Sequence, residues 1–328
     1  MAEEFGNEKA PKGAHGSGED GHVSVLLKEA IDFLAIRRGG TYIDATLGLG
    51  GHSLEIAKRL GPQGHLIGFD KDTNAIELAR QRLSRVGGDN HPKITLLHSS
   101  YAEIPQHVPP ASVDGLLADL GVSSLQFGDA ARGFSFQAEG PLDMRMDPQG
   151  ERTADQVVNH MREEDLANVI YEFGEERRSR RIARAIVRAR PIRSTAHLAQ
   201  VISAALRSMN NDPTTGKDGP RRGPRTGAHQ RIHPATTTFQ AIRIFVNREL
   251  EDLQALMDAA PDVLKKGGRL VVISFHSLED RIVKDALRDG AKAGIFEVLT
   301  KKPLTATQEE IDRNPRSRSA KLRAAERL

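Results

Sequence analysis

Apolar and polar positions alternate along the first third of the chain in a pattern that predicts strands and helices in turn. Residues 23–36 repeat apolar side chains at helical spacing, which predicts a leading amphipathic helix. Short apolar runs and helical segments then follow one another: strand 41–45, helix 52–60, strand 65–70, helix 73–86, strand 94–98 and strand 113–120. Such alternation is typical of a parallel sheet with helices on both faces.

The alternation stops near residue 132 and resumes after residue 233. Between these points the sequence is helical and polar, with helices predicted near 175–190 and 195–209 and a flexible loop rich in Pro, Gly and charge at 210–227. The later pattern predicts helix 236–260, strand 268–275, helix 277–288 and short strands near 296–299 and in the C-terminal tail. We therefore expect a flexible tail over 1–20, an α/β domain over 21–131 and 234–328, and an inserted all-helical domain over 132–233.

Composition excludes several classes of protein. The chain of 328 residues is 38% hydrophobic and 28% charged, which fits a globular protein. Zero cysteines exclude disulfides, thiolate metal sites and a cysteine nucleophile. No apolar run approaches the roughly 18–20 residues that span a bilayer, and the N-terminus lacks the apolar segment of a signal peptide. We therefore expect no membrane contact and a cytoplasmic location.

Positive charge is concentrated in one helical segment. Residues 177–193 hold eight arginines and no acidic residue, although the formal net charge of the whole chain is only +3. Arg177, Arg181, Arg184 and Arg188 recur at helical spacing, and apolar residues line another face. This distribution favours a polyanion such as RNA as partner, although a solvated helix face would give the same pattern.

A glycine-rich turn follows the first predicted strand. The strand ends at Asp44, and glycines stand at 48, 50 and 51, where a ligand can approach backbone N–H groups at a helix N-terminus. A dinucleotide fingerprint would need glycine at position 53, which is Ser53. The carboxylate of Asp44 would not stabilise a pyrophosphate, but it would attract an ammonium group. These features favour S-adenosylmethionine, which has an ammonium and a sulfonium and no phosphate.

Asp70 closes the second predicted strand. An acid at this point can accept hydrogen bonds from both hydroxyls of a ribose. Enzymes that bind nicotinamide cofactors also carry an acid there. Asp70 therefore indicates an adenosine but does not distinguish between the cofactors that contain one.

Several long motifs, in one order, resemble a single family. They are D-A-T-L-G-L-G-G-H-S, A-D-L-G-V-S-S-L-Q, G-F-S-F, G-P-L-D-M-R-M-D, H-P-A-T-T-T-F-Q-A-I-R-I-F-V-N-R-E-L and S-F-H-S-L-E-D-R-I-V-K. From about His22 to the C-terminus the chain resembles the RsmH, or MraW, family of bacterial methyltransferases. The resemblance implies a Rossmann-like class I methyltransferase fold, S-adenosylmethionine as cofactor, and as substrate the N4 amine of a cytidine in the 16S rRNA of the small ribosomal subunit.

The resemblance also implies a set of cofactor contacts. The methionine part of the cofactor would meet Gly50, Gly51 and His52, the ribose would meet Asp70, and the adenine would lie against Tyr101. Asp119 and Gln126 would complete the pocket. Reasoning from the residues supports most of these positions, but it does not by itself select Gln126.

Asp119 is the candidate catalytic residue. The N4 amine of cytosine is a poor nucleophile because its lone pair is delocalised, and an acceptor for its hydrogen atoms favours the pyramidal, reactive geometry. Asp119 ends the fourth predicted strand and is suited to this role, although contact with the cofactor alone is equally consistent. Amino methyltransferases of DNA commonly continue with Pro-Pro-aromatic, where this chain has L-G-V. Methylation at C5 would need a cysteine, which the chain lacks.

Two other clusters have simpler explanations than catalysis. The segment His276, Ser277, Glu279 and Asp280 could suggest a hydrolase triad, but Ser277 with Asp280 is typical of a helix capping box. His229 and His233 have metal-ligand spacing only in a helix, and they flank the predicted loop, so we expect no metal.

The sequence leaves other functions open. An RNA-binding assembly factor with an inactive cofactor pocket, or a methyltransferase of proteins or small molecules, would share the same core. The oligomeric state is also open, a homodimer included.

Overall fold

The computed structural model describes residues 24–86, 91–207 and 233–328. The predicted N-terminal tail and the predicted loop 210–227 lie outside the described residues, as does His229.

A seven-stranded sheet forms the centre of the α/β domain. Its strand order is β3-β2-β1-β4-β5-β7-β6. Strands β1 to β5 pair in parallel, and β7 lies antiparallel between β5 and β6. The strands are β1 Thr41–Asp44, β2 His65–Asp70, β3 Lys93–His98, β4 Val113–Asp119, β5 Leu264–Ser274, β6 Phe296–Val298 and β7 Lys321–Arg327.

Helices cover both faces of the sheet, as the sequence predicts. One apolar core holds residues of α1, α2 and α3, and the other holds residues of α10 and α11. The helices are α1 Leu27–Leu34, α2 Gly51–Leu60, α3 Thr73–Leu83, α4 Ile104–His107, α5 Ser124–Gly128, α6 Glu163–Gly174, α7 Ser179–Arg188, α8 Thr195–Arg207, α9 Thr236–Asn247, α10 Glu249–Val263, α11 Ser277–Lys292 and α12 Gln308–Arg313. The predicted Rossmann-like class I fold is therefore confirmed. Among the described residues no helix is long and apolar enough to cross a bilayer.

The helices α6, α7 and α8, called the helical module below, share an apolar core that is separate from those of the sheet. This core includes buried residues of α6, α7 and α8, together with Phe239, Ile242 and Val246 of α9. Helix α9 thus packs with the helical module, although it follows the predicted domain boundary at residue 234.

The single helix predicted over 236–260 is wrong, because the structure divides it at Arg248. Arg248 has φ 55° and ψ 39°, a left-handed conformation that ends α9 and begins α10. Asn247 fixes the break: its Nδ2 donates to the carbonyl of Met144 at 2.7 Å, and its Oδ1 accepts from the N–H of Met146 at 2.6 Å. A helical pattern in the sequence does not reveal such long-range bonds.

Candidate active site

The carboxyl ends of the parallel strands border one cavity of about 340 Å³. Open α/β sheets bind their ligands at this edge, and the volume lies in the range of small-molecule sites. Of the seven residues that the resemblance implies for the cofactor, six line this cavity: Gly51, His52, Asp70, Tyr101, Asp119 and Gln126.

The glycine turn leads from β1 into α2. Gly50 is the N-cap of α2 with φ 73°, a conformation that favours glycine, but it is not among the residues that line the cavity. Gly51 does line the cavity, and a Cβ atom there would overlap Ser24 Oγ. The turn therefore brings the N-terminus of α2 to the cavity, where a helix N-terminus favours a ligand that accepts hydrogen bonds.

Asp44 is placed differently from the expectation that it meets the ammonium of the cofactor. Its side chain is 1% exposed and does not line the cavity. Instead its carboxylate accepts hydrogen bonds from Ser53 Oγ at 2.6 Å and from the N–H of Thr46 at 3.2 Å. Burial raises the pKa of Asp44 to about 6. The side chain of Asp44 thus faces the core between β1 and α2, and its hydrogen bonds connect the glycine turn to α2.

Asp70 joins the end of β2 to the same turn. Its Oδ2 accepts from the N–H of Gly48 at 2.8 Å, and its Oδ1 accepts from the N–H of Asp72 at 2.8 Å. Burial raises the pKa of Asp70 to about 6. Each carboxylate oxygen has a second lone pair, so Asp70 can also accept a ligand hydroxyl from the cavity.

Asp70→Ala should weaken S-adenosylmethionine binding by ~1.5–3 kcal/mol, the range for a hydrogen bond to a charged group. Because the ionised carboxylate is the better acceptor, wild-type affinity should also fall as the pH drops through about 6, and this dependence should be weaker in the variant. Calorimetry over a pH series measures both effects. Glu77→Ala on the exposed side of α3 is the control. Equal affinities of wild type and Asp70→Ala would contradict a ribose contact.

Tyr101 and His52 line the cavity on either side of the glycine turn. Tyr101 begins a short 3-10 turn after β3, and its ring packs against the sheet core. Burial, with the negative charge of Asp252, raises the pKa of Tyr101 well above its usual value. His52 lies in the first turn of α2, with Nε2 at 3.1 Å from the carbonyl of Val25. Its Nδ1 lies 3.7 Å from Asp119 Oδ2.

Asp119 lines the cavity at the end of β4. Its backbone N–H donates to Thr46 Oγ1 at 2.6 Å, which fixes the end of β4 against the glycine turn. Its Oδ1 is buried and has no hydrogen-bond partner among the described residues. Burial first, then the negative charges of Asp44 and Glu279, raise the pKa of Asp119 well above its usual range. A buried polar atom without a partner is costly and is a common mark of a functional site.

Gln126 is fixed at the cavity by a capping box. Ser123 Oγ accepts from the N–H of Gln126, and Gln126 Oε1 accepts from the N–H of Ser123. The amide of Gln126 donates to Asp72 Oδ2 at 3.0 Å. The spacing Ser-x-x-Gln is the sequence signal that could have found this residue.

Sequence reasoning missed three cationic side chains near the cavity. Arg316 reaches from the C-terminal segment to the loop after Asp119 and donates to Ser124 Oγ at 2.6 Å. Arg243 forms a paired salt bridge with Glu249, and Arg132 pairs with the buried Asp72 at 2.6 Å. Each contact joins residues that are distant in sequence, apart from Arg243 and Glu249.

The capping box predicted for Ser277 and Asp280 is wrong by one residue. The cap of α11 is His276 with Glu279, and Glu279 Oε2 accepts from the N–H of Phe275 at 2.8 Å. Ser277 Oγ donates instead to Glu175 of the helical module, and Asp280 pairs with Arg323. His276 lies two residues after the end of β5 and directly before α11, so its ring nitrogen takes the place of the expected serine oxygen.

Three of these side chains also come within metal-ligand distance of one another. Ligand atoms of Glu249, His276 and Glu279 lie within 4.8 Å of each other. However, Glu249 already pairs with Arg243, and Glu279 already accepts from the backbone. The absence of a metal stays a prediction.

The arginines predicted to form one face of α7 differ in exposure and in ion pairing. Arg177, Arg184 and Arg188 are exposed, whereas Arg181 is half-buried. Arg184 pairs with Glu163 at 3.3 Å. Arg177 follows Glu175, whose carboxylate contacts Ser277 and Arg281, so this end of the arginine segment lies beside the start of α11. The face therefore begins near the rim of the cavity.

The fold and the site define the class of protein. The strand order, the glycine turn and the acidic residues at the carboxyl edge are those of a class I methyltransferase, and its cofactor is S-adenosylmethionine. Gly51, Asp70 and Tyr101 fit that cofactor, because they offer backbone N–H groups, a ribose acceptor and a ring beside one cavity.

Comparison with known proteins gives the family. The model of the MraW methylase family matches residues 19–328, and the chain belongs to this family. It is 69% identical to the ribosomal RNA small subunit methyltransferase H of Koribacter versatilis, over 97% of each chain. It is 60% identical to the protein of the same name from Acidobacterium capsulatum, over 93% of this chain and 98% of that one.

A solved structure is similar at a greater distance. The rRNA methylase from Streptococcus thermophilus has a TM-score of 0.40 and 14% identity, over 94% of this chain and 99% of that one.

Proposed function

We propose that the protein transfers a methyl group from S-adenosylmethionine to the N4 amine of a cytidine in the 16S rRNA of the small ribosomal subunit. The observation that carries the proposal is the side chain of Asp119, which lines the same cavity as the glycine turn and whose Oδ1 has no hydrogen-bond partner among the described residues. The names of relatives up to 69% identical support a substrate in the RNA of the small subunit. The reaction would take place in the cytoplasm, where small subunits are found.

The residues around Asp119 account for the chemistry. S-adenosylmethionine would supply a methyl group bound to a sulfonium, and its sulfur is a good leaving group as a thioether. The carboxylate of Asp119 accepts a hydrogen bond from the N4 amine, which directs the nitrogen lone pair toward the methyl group and stabilises the positive charge that develops. When the N–C bond forms and the S–C bond breaks, N4 gives up one proton, and the Asp119 carboxylate is placed to accept it. The chain has no cysteine for the attack on C6 that methylation at C5 requires.

Labelled cofactor tests the proposed reaction. The protein is incubated with labelled S-adenosylmethionine and small subunits, or naked 16S rRNA, from cells that lack it, and the label is located by nuclease digestion. We expect N4-methylcytidine at one position. Label in ribosomal protein alone would favour a protein methyltransferase. Binding to subunits without transfer in any assembly state would favour an assembly factor.

The arginine face of α7 is proposed to hold the RNA backbone. Arg181, Arg184 and Arg188 lie on α7, whose other side packs into the helical core. The predicted helix starts too early, because Arg177 lies in the turn two residues before α7 begins at Ser179. Arg177 and Arg188 are exposed and make no ion pair with any residue in the described ranges. They are therefore better placed than Arg184 to meet phosphates.

Arg177→Gln with Arg188→Gln should weaken subunit binding and flatten its salt dependence. Each lost phosphate contact should reduce the slope of log K against log salt by about 0.7–0.9, because fewer counterions are released. Binding titrations at several salt concentrations measure this slope, and S-adenosylmethionine affinity should not change. Arg59→Gln with Arg80→Gln, exposed on α2 and α3, is the control. An unaltered slope in the α7 variant would make this face a solvated surface.

A further inference from the structure

The loop after Asp119 lacks the aromatic ring that amino methyltransferases of DNA commonly carry there. Leu120, Gly121 and Val122 follow the acid, and Gly121 has φ 91°, a conformation that favours glycine. A target base that leaves its stack normally finds a flat apolar surface in the enzyme. In this chain such a surface has to come from another element.

Phe275 brings a ring to this place from the neighbouring strand. Strands β4 and β5 pair with Asp119 opposite Ile273, so Phe275 comes level with Gly121. A Cβ atom on Gly121 would lie 3.8 Å from Phe275 Cδ2, which is ordinary contact distance. The ring therefore lies beside the backbone at the position two residues after the acid.

The surroundings of Phe275 hold the ring and leave part of it accessible. Its backbone N–H donates to Glu279 in the cap of α11, and part of the side chain packs against the sheet core. The side chain is half-buried and lines the cavity together with Asp119. No aromatic partner is recorded for it among the residues that the structure describes.

Strand order separates Phe275 from the residues expected to hold the cofactor. Asp70 and Tyr101 follow β2 and β3, on one side of β1, whereas Asp119 and Phe275 follow β4 and β5, on the other side. The second aromatic ring on the substrate side, Phe127, lies under the guanidinium of Arg316 with 5.4 Å between centres. One face of Phe127 is thus already covered.

We infer that the target cytosine stacks on Phe275, in the space beside Gly121, with its N4 amine directed at the carboxylate of Asp119. This inference rests on the proposed function and adds to it the residue that orients the base. A planar base stacked on the ring of Phe275 would lie beside Asp119. Because Gly121 has no side chain, the space next to the ring stays open for the base.

Phe275→Leu and Phe275→Tyr test the inference on the full-length protein with small subunits. Loss of one base–ring stack should lower kcat/KM for subunits by ~5- to ~150-fold in Phe275→Leu, the equivalent of about 1–3 kcal/mol. Phe275→Tyr retains the flat ring and should retain most of the activity. Calorimetry should give the same S-adenosylmethionine affinity for all three proteins.

The controls separate stacking from packing. Phe127→Leu removes the other ring and should cost less than Phe275→Leu. If Phe275→Leu binds no cofactor, Phe275→Met, which is unbranched and of similar volume, replaces it. Equal losses in the Leu and Tyr variants, a wild-type kcat/KM in Phe275→Leu, or a larger loss in Phe127→Leu would overturn the inference. A wild-type protein that methylates no RNA would instead overturn the proposed function.

Discussion

Asp119→Asn should lower the single-turnover rate of methylation by about 10²-fold or more, the range for loss of a positioned acid or base, while S-adenosylmethionine affinity changes little. Asparagine keeps the size of the side chain and one acceptor oxygen. It loses the negative charge that stabilises the developing cation on N4, and it cannot accept the proton. Rapid-quench kinetics with labelled cofactor measures the rate, and calorimetry measures the affinity.

The pH dependence provides a second measurement of the same residue. The pKa of Asp119 is raised, first by burial and then by Asp44 and Glu279, so the carboxylate ionises only at a higher pH than an exposed one. The wild-type rate should therefore rise as the pH rises through this pKa, and the rate of Asp119→Asn should lack that rise. The positive charge of the bound cofactor should lower the pH at which the rise occurs.

Stability separates a functional role for Asp119 from a structural one. A carboxyl group whose pKa is raised on folding binds more protons in the folded state, so its contribution to stability is lost as the pH rises from the unfolded to the folded pKa. At pH values above its pKa in the folded protein, the ionised Asp119 should destabilise the cofactor-free protein. Asp119→Asn should thus be at least as stable as wild type in thermal unfolding.

The control for Asp119 lies at the other end of the same strand. Asp114 accepts from the N–H of Thr41 at 2.8 Å and pairs with Lys265, at the edge of the sheet opposite the cavity. Asp114→Asn should leave the rate unchanged. Equal losses of rate and cofactor affinity in Asp119→Asn would reduce Asp119 to a cofactor ligand.

The sequence was sufficient for the sheet and for the acids at its carboxyl edge. Apolar runs separated by helical periodicity predict parallel strands, and parallel strands bring their carboxyl ends to the same edge. Asp70 and Asp119 end such strands, so their proximity to the glycine turn follows from the pattern. The structure agrees, because the N–H of Gly48 donates to Asp70 and the N–H of Asp119 donates to Thr46.

The same reasoning could not find the contacts that close the site. Which face of a short strand carries the last residue decides whether an acid meets the cavity or the core, and Asp44 meets the core. Arg316 contacts the loop after Asp119 across more than 190 residues of sequence. Phe275 stands beside Gly121 because of the register between two strands, which a single sequence does not reveal.

A buried ion pair between Asp72 and Arg132 connects the cavity at the carboxyl edge of the sheet to the segment that leads into the helical module. Asp72 is fully buried, and its Oδ2 accepts from Arg132 Nη1 at 2.6 Å and from Gln126 Nε2 at 3.0 Å. Arg132 Nη2 also donates to the carbonyls of Arg145 and Met146. These bonds satisfy both charges, and they connect Gln126 in the cavity wall to the motif G-P-L-D-M-R-M-D.

Arg132→Ala should lower the free energy of unfolding by about 3–5 kcal/mol, because it leaves the carboxylate of Asp72 buried without its countercharge. Denaturant unfolding measures the loss as a shift of the midpoint at constant m. S-adenosylmethionine affinity should fall as well, since Gln126 shares the same carboxylate oxygen. Arg145→Ala, which opens the partly exposed pair with Asp143, should cost less.

A double-mutant cycle decides whether the charge of Asp72 causes this loss. Asp72→Asn keeps an oxygen that can accept from Asn74 and cap α3, but it removes the charge. Arg132→Ala in that background should therefore cost less than it does in wild type, so that the two changes are not additive. If the two losses simply add, the energetic link between the residues is absent. The cost of Arg132→Ala would then arise from the lost bonds to Arg145 and Met146 alone, and the S-adenosylmethionine affinity of the double variant would equal that of Asp72→Asn.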